Sequence, residues 1–105
     1  MVRLIRDYRG HDVRLTDERL DHIVVQHPEV ARLGLLAIED ALRHPDAVVV
    51  SAAAPDERLY YRRYLDAELG EKLFCVVVKS AESFVVTAYV TARQKKGARV
   101  WPETT

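Results

Sequence analysis

Between Thr16 and Arg43 apolar residues recur every three or four positions, whereas after Pro45 they gather into short dense runs separated by polar stretches. The first pattern predicts helix and the second predicts strand. Thr16 offers a hydroxyl to cap free N–H groups, and Asp17 and Glu18 stand where a helix dipole favours negative charge. Leu20, Ile23, Val24 and His27 then form one apolar face. Pro28 closes that helix and suits the first turn of a second, which runs to about Arg43. In the second helix Val30, Leu33, Ala37 and Ala41 line one side, with Leu35, Ile38 and Leu42 beside them, and His44-Pro45-Asp46 stops it. Strands are predicted at Ala47 to Ser51, Leu59 to Tyr64, Leu73 to Lys79 and Phe84 to Thr91, the last two joined by the short turn Ser80 to Ser83. Near the start, Leu4 to Tyr8 and Val13 to Leu15 flank Arg9-Gly10-His11-Asp12 with weak alternation, a spacing that suits a hairpin. The expected fold class is α+β: two N-terminal helices packed on a four-stranded, mainly antiparallel sheet.

Length and composition constrain this picture. A chain of 105 residues with 49% apolar and 30% charged residues is expected to form one domain over 1–105, and it is neither collagenous nor a disulfide framework. Sixteen basic residues balance sixteen acidic ones, so net charge alone names no partner. The charges are unevenly placed. From Arg58 onward nine basic residues face five acidic ones, and between Ser83 and Trp101 stand Arg93, Lys95, Lys96 and Arg99 with no acid. Cys75 is the single cysteine, which excludes an intramolecular disulfide and a thiolate zinc cluster and fits a reducing compartment. No signal-type apolar segment and no run of about eighteen apolar residues occurs, so a cytoplasmic protein without a membrane partner is expected.

Strand alternation sorts Phe84, Val86, Ala88 and Val90 to one face and Val85, Thr87, Tyr89 and Thr91 to the other. The second face reads either as an ordinary half-exposed sheet surface or as a row of hydrogen-bond donors. Lys79 falls in phase with Cys75 and Val77 and is either a solvent-facing strand end or a phosphate contact. Tyr60 to Tyr64 interleave aromatics with Arg62 and Arg63, a combination that packs as core edge or stacks on bases. Of the four histidines, His22 and His27 sit in the helical segment, about 140° apart around an ideal helix, while His11 and His44 occupy turns. Neither helical spacing nor an HExxH motif supports a metal, and no glycine-rich phosphate loop or nucleophile elbow is present. No cofactor is expected. Cleavage of RNA by its own 2′-hydroxyl needs only an acid, a base and phosphate-stabilising donors, and His, Tyr, Thr, Lys and Arg supply these.

The ordered set His22-Ile23, His27-Pro28-Glu29, Leu59-Tyr60-Tyr61-Arg62, Leu73 to Lys79, Val86-Thr87-Ala88-Tyr89, Lys95-Lys96-Gly97 and Trp101 resembles the phage-type branch of the barnase–EndoU–colicin–RelE superfamily. The resemblance implies a metal-independent endoribonuclease with RNA as partner, acting as a toxin or phage-associated effector. It casts His22 or His27 as acid/base, Lys79 and Arg62 as phosphate stabilisers, and Thr87 and Tyr89 as donors to the phosphate. Tyr61, Lys95 and Lys96 join Arg62 as substrate-binding positions. An antitoxin partner goes with the toxin reading; the alternative expectations are a binding module on the same fold, docking another protein partner or forming a homodimer, and a small-molecule or nucleotide-binding protein.

Overall fold

In a computed structural model that describes residues 1–66, 68 and 70–103, the elements follow in the order β1 (Val2–Arg6), β2 (Asp12–Thr16), α1 (Asp17–Gln26), α2 (Pro28–Arg43), β3 (Ala47–Ser51), β4 (Glu57–Asp66), β5 (Gly70–Lys79), β6 (Phe84–Thr91) and β7 (Gly97–Trp101). Thr16 caps α1 by accepting a 3.0 Å hydrogen bond from the Arg19 N–H. His27 stands between the two helices, its N–H on the Ile23 carbonyl and its own carbonyl accepting from Val30. Pro28, which has no N–H to lose, opens α2. Gly34 breaks α2 at a φ of 75°, a left-handed conformation that a side chain would strain, and this reorients the buried face carried on by Ile38, Ala41 and Leu42. No helix among the described residues is long and apolar enough to cross a membrane.

The sheet overturns the expected four-stranded antiparallel arrangement. Seven strands lie in the order β1-β2-β6-β5-β4-β3-β7, mixed in direction and curled into a half-barrel. The parallel contact is short: β2 meets β6 through Arg14 and Phe84. The additional strands were faint in the sequence because β1 and β7 are edge strands with little burial and β2 is short, with only two buried positions. β7 reads Gly-Ala-Arg-Val-Trp with a single half-buried position, and β1 and β2 bury only Ile5, Val13 and Leu15. Edge strands carry only part of the alternation that marks a half-buried strand.

Cross-strand partners share a face of the sheet. On one face Val48, Tyr60, Phe74, Val76, Val78, Val85 and Ala88 pack with Ile23, Val30, Ile38, Ala41 and Leu42 of the helices. On the other, Ala47, Val49, Leu59, Tyr61, Cys75 and Val77 form a second apolar layer, with Val86 and Tyr89 against it. No helix covers this second layer. Its cover comes from the curl and from the link between β6 and β7, in which the Lys95 N–H donates to Tyr61 Oη at 2.9 Å and the Lys96 carbonyl accepts from Ala52 N at 3.0 Å.

That link must carry the chain past β5, β4 and β3. Four strand spacings of ~4.8 Å make ~19 Å, and the six Cα steps from Thr91 to Gly97 reach at most ~20–22 Å. A flat sheet would leave the link no slack for its own turn, whereas curling brings the edges together. Gly97 permits the landing: a Cβ there would collide with the Val50 carbonyl oxygen and lie 2.6 Å from Val49 Cγ1.

A second tie joins the β1–β2 turn to β4. Asp7, a buried carboxylate, accepts from the Tyr60 hydroxyl at 2.8 Å and from the backbone N–H groups of Arg9 and His11 at 2.9 and 3.0 Å. Burial by itself would raise the pKa of this carboxyl. The hydrogen bonds from Tyr60, His11 and Arg9, with the Arg9 charge, outweigh burial and hold it below its ordinary value.

Two outcomes follow. Gly97→Ala is expected to cost roughly 1–3 kcal/mol in urea unfolding and to shift the emission of Trp101, since β7 can no longer seat against β3. Asp7→Ala, which strands a buried hydroxyl and two N–H groups, should cost about 3 kcal/mol at neutral pH. Because the native carboxyl titrates below its unfolded counterpart, its contribution is complete above about pH 4 and disappears as the pH falls through the depressed native value. The gap between wild type and Asp7→Asn, followed by urea midpoints across that range, should therefore close in acid.

Candidate active site

Three rows of side chains cross the face that bears no helix. Ala47, Tyr61, Cys75 and Tyr89 make one; Val49, Leu59, Val77 and Thr87 the next; Glu57, Lys79 and Phe84 the third. The rows follow from register, but a bulge decides which residues of β6 join them. Val78 pairs with Val85 while Val77 pairs with Thr87, which leaves Val86 as the extra residue. Strict alternation had put Val85 beside Thr87 and Tyr89. The bulge sends Val85 to the helix-covered core with Ala88, and leaves Thr87, Tyr89 and Thr91 on the open face beside Val86.

Around Tyr89 the polar groups converge. The His27 ring lies 5.7 Å from the Tyr89 ring, and Lys95 Nζ stands 5.6 Å from the same ring centroid. Glu29 reaches back with one oxygen 3.8 Å from His27 Nδ1 and 3.4 Å from the Val90 N–H. The helix junction therefore wraps the free edge of β6 and delivers an imidazole to it. Thr87 Oγ1 is buried with no hydrogen-bond partner, and Tyr89 Oη, also buried, has only the Cys75 sulfur, a weak acceptor, to turn to. Buried polar groups are nearly always paired, so two hydroxyls without an oxygen or nitrogen acceptor on adjacent rows of one face are a costly feature.

The protonation states suit donors rather than bases. Burial, reinforced by Cys75, Tyr61 and Glu57, pushes the Tyr89 phenol far above its ordinary value. Burial likewise raises Tyr61 to about 12, against the hydrogen bond from Lys95 N. Cys75 is pushed up to about 11 by burial, although Tyr89, Tyr61 and the Lys95 charge favour its thiolate. At neutral pH both phenols keep their protons, and Cys75 remains a thiol rather than a nucleophile. His27 brings the side chain type best suited to proton exchange near neutrality.

The remaining predicted positions scatter. His22 is exposed on α1 and makes no contact with the cluster. Lys79 shares the face but lies two rows from Tyr89, about 14 Å along the strand, and is engaged by Asp56 at 2.5 Å and Glu57 at 4.0 Å. Arg62 points to the opposite face from Tyr61 and donates to the His44 carbonyl at 2.5 Å. Lys96 is exposed in the link. Arg63 and Arg99, both exposed, stand on the open face at its rim, in register with Leu73 and Val49. Glu29 and Cys75 were not singled out as site residues. Glu29 was visible as the residue after His27-Pro28, but its reach to β6 depends on the break between the helices. Among the described residues no three His, Cys, Asp or Glu side chains gather as a metal site.

Neutral phenols, a hydroxyl, an ammonium and an imidazole on one sheet face make a set suited to holding and neutralising anionic oxygen. The family model of phage-Barnase-EndoU-ColicinE5/D-RelE like nuclease2 matches residues 2–102, and the chain belongs to that nuclease-like family. No curated protein and no solved structure matches it.

The poorly satisfied hydroxyls predict a trade between stability and function. Thr87→Val and Tyr89→Phe, which remove these buried hydroxyls without changing shape, should each raise stability by about 1 kcal/mol in thermal or urea unfolding. A loss of stability in both would show that these oxygens are satisfied in solution.

Proposed function

We propose that the protein is a metal-independent endoribonuclease whose partner is single-stranded RNA. The observation that carries this reading is the pair of buried donors Thr87 Oγ1 and Tyr89 Oη, neither paired with an oxygen or nitrogen acceptor, beside His27 and Lys95. Membership of a nuclease-like family and the basic rim of Arg63, Lys95 and Arg99 support it.

In this mechanism the phosphate replaces Lys95 against the Tyr89 ring, and the ammonium moves onto a non-bridging oxygen. Neutral His27 takes the proton from the 2′-hydroxyl as its oxygen attacks phosphorus. Thr87 donates to the phosphate as charge develops. The bond from phosphorus to the 5′ oxygen breaks, and that oxygen takes the Tyr89 proton, leaving a 2′,3′-cyclic phosphate and a 5′-hydroxyl. The imidazolium of His27, next to Tyr89, then restores the phenol proton and closes the cycle. Lys79 and Arg62 have no part, because one is neutralised by carboxylates and the other lies on the opposite face.

The test is incubation of the folded protein with single-stranded RNA in EDTA, with the product ends analysed. Cleavage leaving 2′,3′-cyclic phosphate ends is expected, and His27→Ala and Tyr89→Phe should each lower its rate by about 10²–10⁴-fold. Intact RNA in every sample, or a loss confined to His22→Ala, would overturn the assignment.

A further inference from the structure

A groove of about 680 Å³ lies on the opposite face of the sheet, beyond the C-terminal end of α2. Its volume falls within the range of small-ligand sites, about 300–1,000 Å³. Tyr8, Arg9, Arg43, Arg58, Trp101 and Glu103 line it. Tyr8 and Trp101 stand together, ring centroids 5.0 Å apart and planes inclined by 41°. Each ring is anchored from behind: Tyr8 packs edge-on against buried Tyr60, and Trp101 Nε1 donates to the Pro45 carbonyl at 3.3 Å. Trp101 is nevertheless 36% exposed, so its ring presents surface to the groove.

A second bulge aims that tryptophan. Val49 pairs with Arg99 while Val48 pairs with Trp101, so Val100 is the extra residue and Trp101 falls on the helix-bearing side, with Tyr8, instead of following Arg99 to the open face. The arginines differ in their commitments. Arg43 is held by Glu39 at 3.0 Å and Arg9 by Asp7 at 3.4 Å, whereas the Arg58 guanidinium has no ion pair or hydrogen bond among the described residues. An aromatic pair facing guanidinium groups, one of them unpaired, meets the two demands of a nucleotide: a flat base to stack and a phosphate to hold.

We infer that this groove is a nucleotide-binding subsite, with a base stacked on Trp101 and Tyr8 and its phosphate on Arg58. The ligand chemistry is a nucleoside phosphate, met either as a residue of a single strand or as a free nucleotide. The subsite is separate from the candidate active site on the other face, and its binding does not depend on cleavage.

The chain has one tryptophan, so stacking reports directly as quenching of its fluorescence. Intact protein would be titrated with a short 2′-O-methyl oligonucleotide, which cannot undergo 2′-hydroxyl attack, and with AMP. Quenching is expected. Anisotropy of a labelled oligonucleotide should show weakening of about tenfold with Arg58→Gln and of ~5- to 150-fold with Trp101→Leu. His22→Ala, exposed on α1 and outside both sites, should leave this affinity unchanged. Oligonucleotide binding much tighter than AMP identifies the strand as the source, and equal affinities identify the free nucleotide, both supporting the subsite. Absence of quenching by either ligand, binding indifferent to Arg58→Gln and Trp101→Leu, or binding lost only with Tyr89→Phe would overturn it. The last result would place the strand on the open face and leave the cleavage reading standing.

Discussion

A link of five residues must span four strand spacings, and most of the architecture answers to that demand. Residues 92–96 join β6 to β7 across the width of β5, β4 and β3, at a distance close to the full reach of the chain. Curling the sheet relieves the demand and encloses the second apolar layer around Tyr61 and Cys75, both fully buried without a helix above them. The same link carries Lys95 over the face, binds Tyr61 Oη and seats Gly97 against Val50. Closure of the half-barrel and construction of the polar site are thus one event.

The two faces divide the labour. Helices cover one, so its residues are apolar wherever α1 and α2 reach and become cationic and aromatic beyond the end of α2. The other is covered only by curvature and a link, which leaves room for hydroxyls and phenols within an apolar layer. Donors buried there without strong acceptors weaken the fold yet arrive preorganised and poorly solvated, the condition in which they act most strongly on developing charge.

Much of the helical half was legible. Thr16, Pro28 and His44-Pro45 mark ends by local chemistry, through a cap, a missing N–H and a disfavoured backbone region, and local chemistry is what a linear pattern records. β3 and β6 appeared with their full extents because their runs are composed almost wholly of apolar and β-branched residues. β7 escaped notice because an exposed edge strand has little need of alternation, and the β1–β2 hairpin appeared without its connection to the sheet, which joins residues distant in sequence through one parallel pair, the Ser83 contacts and the Asp7–Tyr60 hydrogen bond. Asp7 had a local sign, an Asx turn closed by the Arg9 N–H, but its burial depends on Tyr60 from a distant strand.

The chemistry-bearing residues divide along the same line. Composition and spacing by themselves determined that Thr87, Tyr89, Tyr61, Lys95 and His27 were available, and that Thr87 and Tyr89 would share a face, since that follows from a period of two. Which face, and with whom, was a tertiary decision. Bulges at Val86 and Val100 shift the phase of β6 and β7 in response to packing on neighbouring strands, moving Val85 into the core and Trp101 toward Tyr8. The break between α1 and α2 carries His27, rather than His22, to the edge of β6. A side chain's direction alternates locally, but a bulge or a helix junction resets it through contacts remote in sequence, and no linear pattern encodes that reset.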